Sequence, residues 1–283
     1  MAGKNQIAGG LYLVPGPLGN LGDFTVRAAE ILGRADLICV EDTRRSLKLL
    51  NHLGLNRPLQ SYREQNHLQA WPRIAAVLSV GGVVALMTDA GSPTISDPGA
   101  MLVASARAVG FTINSLPGPS AVITALAASG FSANQFTFAG FLPARAVVRR
   151  KVLASLARHP WTLIFFEAPH RLAAGLADLA AVFGSRPALL AREMTKIHEE
   201  LIFADLRTLA DLVAARVLKG EITIVVEGFK GEEEKIALDM DLLRKLALAD
   251  PRPTKTLVAD LAAEFGRSRH EIYQFILGVR KNG

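Results

Sequence analysis

Short apolar runs rich in β-branched residues alternate along the chain with longer segments of helical spacing. Residues 11–14, 36–40, 83–87 and 112–116 are bounded by glycine, proline or charge, which predicts buried strands. Between them, 24–32, 46–53, 68–78 and 100–109 place apolar residues every third or fourth position, as amphipathic helices do. Such alternation predicts a mostly parallel sheet with helices on its faces. The pattern then repeats with new material: strands at 136–141, 161–166, 188–192, 200–203 and 222–227, and helices at 147–157, 172–183 and 209–219. Pro117-Gly118-Pro119 interrupts both periods and marks the junction, giving domains of 11–118 and 119–230.

The composition changes at 230–235 (KGEEEK), a charged stretch suited to a linker, expected over 231–238. Residues 241–249, 254–265 and 269–279 have helical spacing with no strand between them, so 239–283 reads as a helical segment. Gly266 separates the last two helices, and Ser268 with Glu271 fits a capping box. Helix, glycine turn and capped helix form a helix-turn-helix pattern, although a plain helical cap would look the same.

The chain has 283 residues, half of them hydrophobic and a fifth charged, which excludes disorder and supplies ample core for about two domains. A single cysteine, Cys39, excludes an internal disulfide and a cysteine-built zinc site. No apolar run reaches the roughly 18 residues of a membrane span, and residues 1–10 do not read as a secretory signal. A soluble, cytoplasmic protein without a membrane partner is expected. Basic residues exceed acidic ones by 6, with a sequence pI near 9.7, one footprint of a protein that meets phosphate backbones.

Three turns stand out as candidate chemistry. Val14-Pro15-Gly16-Pro17-Leu18-Gly19 directly follows the first strand, where small residues let a ligand approach the backbone. It lacks the lysine of a Walker loop and the spacing of a dinucleotide fingerprint. Asp89-Ala90-Gly91-Ser92 follows the strand at 83–87, and Asp89 is read as a ligand for a ribose or an ammonium group. Asp97, just before the helix at 100–109, is read as that helix's cap. Ser120 and Ala121 open a helix rich in small residues whose free N–H groups suit a carboxylate.

Nine motifs occur in one order: LVPGPLGNLG (13–22), VEDTRR (40–45), TDAGSP (88–93), SDPG (96–99), LPGPSA (116–121), GFLP (140–143), FEAPHR (166–171), REMTKIHEE (192–200) and KGEITI (219–224). Together they closely resemble the small-subunit ribosomal RNA methyltransferase I family, cytidine 2′-O-methyltransferases of the tetrapyrrole methylase superfamily. The resemblance runs from about residue 11 to the C-terminus, and none of its motifs is broken. It implies two α/β domains with S-adenosyl-L-methionine folded into the cleft between them, usually in a homodimer. It implies small-subunit ribosomal RNA, free or in an assembled subunit, as the partner. Carried over by position, cofactor contacts fall on Val14, Pro15, Gly16, Asp89, Ala90, Gly91, Ser92, Ser120, Ala121, Phe166, Glu167, Ala168, Ile222 and Thr223.

A sulfonium methyl is already electrophilic, so no metal is required, and no HExxH, CxxC or acidic loop offers one a site. What the reaction needs is alignment of the ribose oxygen, with help in losing its proton. Candidates for that help are Glu167, Lys196 and Glu200, followed by His170, His198, Glu199, Asp42 and Arg44. No Ser/His/Asp arrangement is discernible, which disfavours hydrolases. RNA is expected on Arg44, Arg45 and Lys48, on Arg145, Arg149, Arg150 and Lys151, and more weakly on 239–283 with eight basic and six acidic residues. Tyr62, Phe141 and Tyr273 are candidates for stacking on bases. The rival readings are a methylase of a corrinoid precursor and a helix-turn-helix protein whose α/β part senses a small molecule without turning it over.

Overall fold

The computed structural model describes residues 7–216, 218–231, 240–250, 252–264 and 269–282. The described chain forms two compact units, one ending at Phe229 and the other beginning at Lys230.

In the first unit, β1 (Gly10–Val14), β2 (Leu37–Val40), β3 (Leu59–Ser61), β4 (Val83–Met87) and β5 (Ile113–Ser115) form a sheet in the order β3-β2-β4-β1-β5. Every pairing in it is parallel. Alternate side chains of each strand feed opposite faces. Tyr12, Val14, Ile38 and Val40 pack with Leu32 and Leu50, which come from α1 (Val26–Arg34) and α2 (Thr43–His52). Leu11, Leu13, Leu37 and Cys39 pack with Ile74 and Leu102, from α3 (His67–Ser79) and α4 (Ala100–Ala108). Burial of Cys39 pushes its thiol up to about 12, so it is an inert core residue. The sequence pattern missed β3, a three-residue edge strand (LQS) too short and polar to show a period.

A second sheet has the order β6-β7-β10-β8-β9, from β6 (Phe136–Phe141), β7 (Thr162–Glu167), β8 (Pro187–Arg192), β9 (Glu200–Asp205) and β10 (Ile222–Val226). Only β6 and β7 run parallel; β7–β10, β10–β8 and β8–β9 are antiparallel. The expectation of a second, mostly parallel sheet is thus corrected. The reason was visible in the sequence: no helix separates β8 from β9, and parallel neighbours need a long crossover. One face of this sheet carries α5 (Ala121–Ser129), whose Val122, Ala125 and Leu126 pack on Ile164, Leu189 and Val225. The opposite face packs α6 (Ala146–Leu156), α7 (Leu172–Phe183) and α8 (Leu206–Ala214) through Leu153, Leu176 and Leu209.

The second unit contains α9 (Met240–Ala249), α10 (Thr254–Glu264) and α11 (Arg269–Asn282), with no strand among its described residues. Its own core joins Leu243, Leu257, Leu261, Ile272 and Ile276. Arg252 ties the α9–α10 turn together through Asp250 and Asp260, each at 2.7 Å. The Ser268–Glu271 capping box and most of the 231–238 linker lie outside the described residues.

Candidate active site

All strands of the first sheet end at the same edge, so the turns after β1, β4 and β5 gather there, the place where open parallel sheets admit ligands. Two of these turns are stitched together. Gly16 N–H donates to Gly91 O (2.8 Å) and Gly91 N–H donates to Gly16 O (2.9 Å). Thr88 Oγ1 closes the second turn on Gly91 O at 2.7 Å. Gly16 has no room for a side chain, because a Cβ would collide with the Thr88 carbonyl oxygen. A Cβ on Gly118 would come within 2.8 Å of Pro15, so the third turn is pressed equally closely on the first. Ser120 then caps α5 by accepting from Ile123 N–H.

These turns face the end of β7 and the beginning of β10 across a cavity of about 330 Å³, at the small end of the range for small-molecule sites. Of the residues carried over as cofactor contacts, Ala90, Gly91, Ser92, Ser120, Ala121, Phe166, Glu167, Ala168, Ile222 and Thr223 line it. Val14, Pro15, Gly16 and Asp89 do not. The first three form the packed layer behind the wall, with Val14 fully buried in the core. Asp89 turns to Arg45, 3.3 Å away, leaving its Oδ1 buried without a partner.

The wall is apolar and acidic. Phe166 is fixed by edge contacts with Phe138 and Phe141, at centroid distances of 4.8 and 5.5 Å. Asp97 and Glu221 supply the acidic lining, Glu167 is turned away on Arg171, and no lysine or arginine is among the lining residues. A wall of this kind suits a small molecule that carries positive charge.

Asp97 is the site residue that sequence reasoning missed. It does not cap α4: the N-cap is Gly99, with φ 137, and Glu64 Oε1 accepts from Gly99 N–H at 2.7 Å. A carboxylate 35 residues upstream does the capping, which local pattern cannot foresee. Asp97 lines the cavity instead. Burial, reinforced by the negative charges of Glu41, Asp89 and Glu221, pushes its carboxyl up to about 7.

The candidate bases fare differently. Glu167 is buried and aimed at the opposite face of the sheet. Arg171 lies 2.9 Å from its Oε1, and its Oε2 leaves no space for a Cβ on Gly175. It contributes backbone to the wall, so the base role expected for it is withdrawn. Glu200 is clamped by Arg192 and Arg216, both at 2.9 Å, which hold its carboxyl below the usual range, and it does not line the cavity. Lys196 crosses the backbone of Gly19 and donates to Glu193 (2.8 Å) and Glu221 (3.2 Å). Burial opposes its charge, but the two carboxylates prevail and raise its pKa, so it remains a cation and cannot accept the proton. Asp42 caps α2 through Arg44 N–H, and Glu199 accepts from Thr195 N–H. His170 and His198 are exposed and absent from the cavity wall.

Among the RNA candidates, Arg149 is corrected. Its guanidinium is buried, 2.6 Å from Asp178, and it donates to the carbonyls of Pro143 and Ala144. The helix period turns it inward while Arg145, Arg150 and Lys151 stay exposed. Arg44, Arg45 and Lys48 are exposed as expected. Tyr62 is fully buried on His67, so it cannot stack on a base, whereas Phe141 and Tyr273 remain accessible. No cluster of potential metal ligands occurs among the described residues, and no described helix is long and apolar enough to cross a membrane.

Residues 10–210 match the family model of Tetrapyrrole (Corrin/Porphyrin) Methylases. The chain belongs to this family. It is 45% identical over 94% of its length to ribosomal RNA small subunit methyltransferase I of Xylella fastidiosa, and the match covers 98% of that protein. The protein of that name from Escherichia coli O157:H7 is 43% identical, with 95% of each chain covered. Among solved structures, the tetrapyrrole methylase fold recurs in a cobalt precorrin-4 methyltransferase from cobalamin biosynthesis, with TM-score 0.60 and 18% identity over 77% of this chain and 94% of that one. A uroporphyrin-III-C-methyltransferase from Thermus thermophilus gives TM-score 0.55 and 20% identity, covering 77% of this chain and 94% of that one. This tetrapyrrole methylase is therefore a methyltransferase that uses S-adenosyl-L-methionine. The reactive methyl belongs to the cofactor, and the protein's task is to bind, orient and shield.

Proposed function

We propose that the protein methylates the ribose 2′-oxygen of a cytidine in small-subunit ribosomal RNA, working as a cytoplasmic homodimer on free RNA or on an assembled subunit. One observation carries the reading. The match to ribosomal RNA small subunit methyltransferase I extends over 94–95% of the chain, whereas the tetrapyrrole-modifying structures match 77% of it. That difference favours RNA over a corrinoid as the acceptor.

The cavity's chemistry supports the cofactor's placement. Asp97 and Glu221 would face its cationic centres. The N–H groups of Ala121 and Val122, in the first turn of α5 where no intrahelical acceptor exists, would meet its carboxylate. Phe166 and the backbone at Ile222 and Thr223 would flank the adenine. A second depression of about 430 Å³ shares Pro169 with the cavity and carries His170, Arg216 and Lys219. An acidic pocket beside a basic one is what a cationic donor and a polyanionic acceptor require. Exposed Arg44, Arg45, Arg145, Arg150 and Lys151 extend the basic surface. The two sheets serve as domains, 11–118 and 119–230, and residues 239–283 serve to engage RNA. Leu201 and Phe203, on the edge strand β9, are 39% and 54% exposed on the face that α5 covers elsewhere. An uncovered apolar edge of this kind supports a dimer contact.

The test is incubation with methyl-labelled cofactor and small subunits that lack the modification, followed by nucleoside analysis. Label in 2′-O-methylcytidine is the expected result. Cofactor binding without transfer, or transfer to a tetrapyrrole only, overturns the reading.

A further inference from the structure

Three acids near the cavity are held in ion pairs, and Asp97 is not. Asp89 is paired with Arg45, Glu221 with Lys196, and Glu167 with Arg171. Asp97 faces the cavity and, among the described residues, holds no hydrogen bond and no cation. The cap position that would explain a carboxylate before α4 is filled by Glu64.

The turn bearing Asp97 is held in an unfavourable conformation. Thr94 and Ser96 have φ of 72° and 61°, in the left-handed region, although neither is glycine. A Cβ at Gly99 would stand 2.5 Å from Leu86 Cδ2, so the turn is seated tightly on β4. On its other side, Ser96 Oγ lies 3.7 Å from where a Cβ of Gly140 would be, which brings the turn to β6 of the second sheet. Strain of this kind persists where the surroundings fix a group for function.

We propose that Asp97 is the proton acceptor in methyl transfer, taking the proton of the ribose 2′-hydroxyl as that oxygen bonds to the methyl carbon. The idea rests on the 2′-O reading above. The O–H bond breaks with its electron pair left on oxygen, and an oxygen pair forms the new bond to carbon. The carbon–sulfur bond breaks with its pair left on sulfur, giving a neutral thioether. The proton moves to the Asp97 carboxylate and from there to water. The electrostatic setting matches this role. Burial and the charges of Glu41, Asp89 and Glu221 make the carboxylate a good proton acceptor near neutral pH. Arg45 and Lys196 are spent on Asp89 and Glu221 and do not quench it. A bound sulfonium favours the ionised form, so the base is ready once the donor is in place.

The experiment compares the full-length protein with Asp97→Asn and Asp97→Glu on unmodified small subunits. Cofactor affinity is measured by calorimetry, single-turnover rate against pH at saturating cofactor, and the Asp97 carboxyl titration by carbon-13 resonance. For Asp97→Asn the rate at saturating cofactor is expected to fall about 10²–10⁴-fold with loss of its acid limb, well beyond any weakening of the cofactor Kd. Asp97→Glu is expected to keep the acid limb at an intermediate rate. A carboxyl that titrates in the ordinary aspartate range overturns the proposal. So does a loss confined to cofactor affinity, with the saturated rate within about tenfold of the parent's, since Asp97 would then only anchor a cation. Absence of 2′-O transfer by the parent protein overturns the underlying reading as well, so the two failures are distinguishable.

Discussion

The two sheets contribute to the cavity in opposite ways. In the first, all strands are parallel and the wall is made of turns beyond their ends, Ala90–Ser96 and Ser120–Ala121 among them. Backbone groups, close glycine contacts and an uncompensated acid come from this side. In the second, β7 and β10 run antiparallel, so the end of one lies beside the start of the other, with Phe166 paired to Thr223 and Glu167 to Ile222. The wall there is regular strand, aromatic and hydrogen-bonded on both sides. The two halves also treat charge differently. Asp178 in the second half is buried with two arginines, and they hold its carboxyl below the usual range against the cost of burial. Asp97 in the first is left without a partner and is pushed the other way. An unpaired carboxylate at a cavity is suited to chemistry, whereas a doubly paired one locks a helix pair in place.

The largest test of this contrast lies away from the cavity. Arg149→Met strips a buried partner from Asp178, leaving the more exposed Arg150 alone. Stability is expected to fall by about 3 kcal/mol or more, read from the urea midpoint, with cofactor affinity per folded molecule unchanged. An unaltered midpoint would show that the pair contributes nothing to the second half.

Gly16→Val attacks the first half, since its side chain would push against the Thr88 carbonyl. A cost of roughly 1–3 kcal/mol is expected, appearing chiefly as a cofactor Kd at least about tenfold weaker by calorimetry. Full affinity would mean that the stitched turns do not shape the wall.

The pH effect is smaller and its sign follows from the raised carboxyl. In the folded protein Asp97 holds its proton up to about 7, well above the usual carboxylate range. It therefore adds stability as pH falls through 7 and opposes folding above it. Asp97→Asn is expected to have a higher Tm than the parent above about pH 7.5, an advantage that shrinks as pH falls towards 5. A constant difference across that range would show that the group is not perturbed.

The smallest effect belongs to the surface. Lys151→Glu reverses an exposed charge on α6 and is expected to lower the magnitude of the log Kd against log salt slope for RNA by about 1–2, with cofactor binding unchanged. An unchanged slope removes α6 from the RNA surface.

The strand and helix pattern was largely legible in the sequence. β4 and α7 fall where the apolar periods place them, because buried strands and amphipathic helices carry their period locally. The misses differ in cause. The antiparallel β8–β9 pair and the inward turn of Arg149 follow from local signals that were passed over, whereas the Arg149–Asp178 pair and the capping of α4 by Glu64 depend on residues far apart in the chain. The turns at 88–93 and 116–121 were recognisable as ligand-facing from glycine, proline and strand-end position, yet Asp97, read as a cap, lines the cavity, and Asp89, read as a ligand, is paired with Arg45. Their residue types and neighbours in sequence are nearly alike.

By itself, then, the sequence determined which segments are strands and helices, the family, and the set of turns from which a wall is built. Those properties reside in local periodicity and in motif order. Tertiary structure alone decided which acid faces the cavity and which is neutralised, because pairing and desolvation depend on Arg45 and Lys196, brought in from turns distant in the sequence.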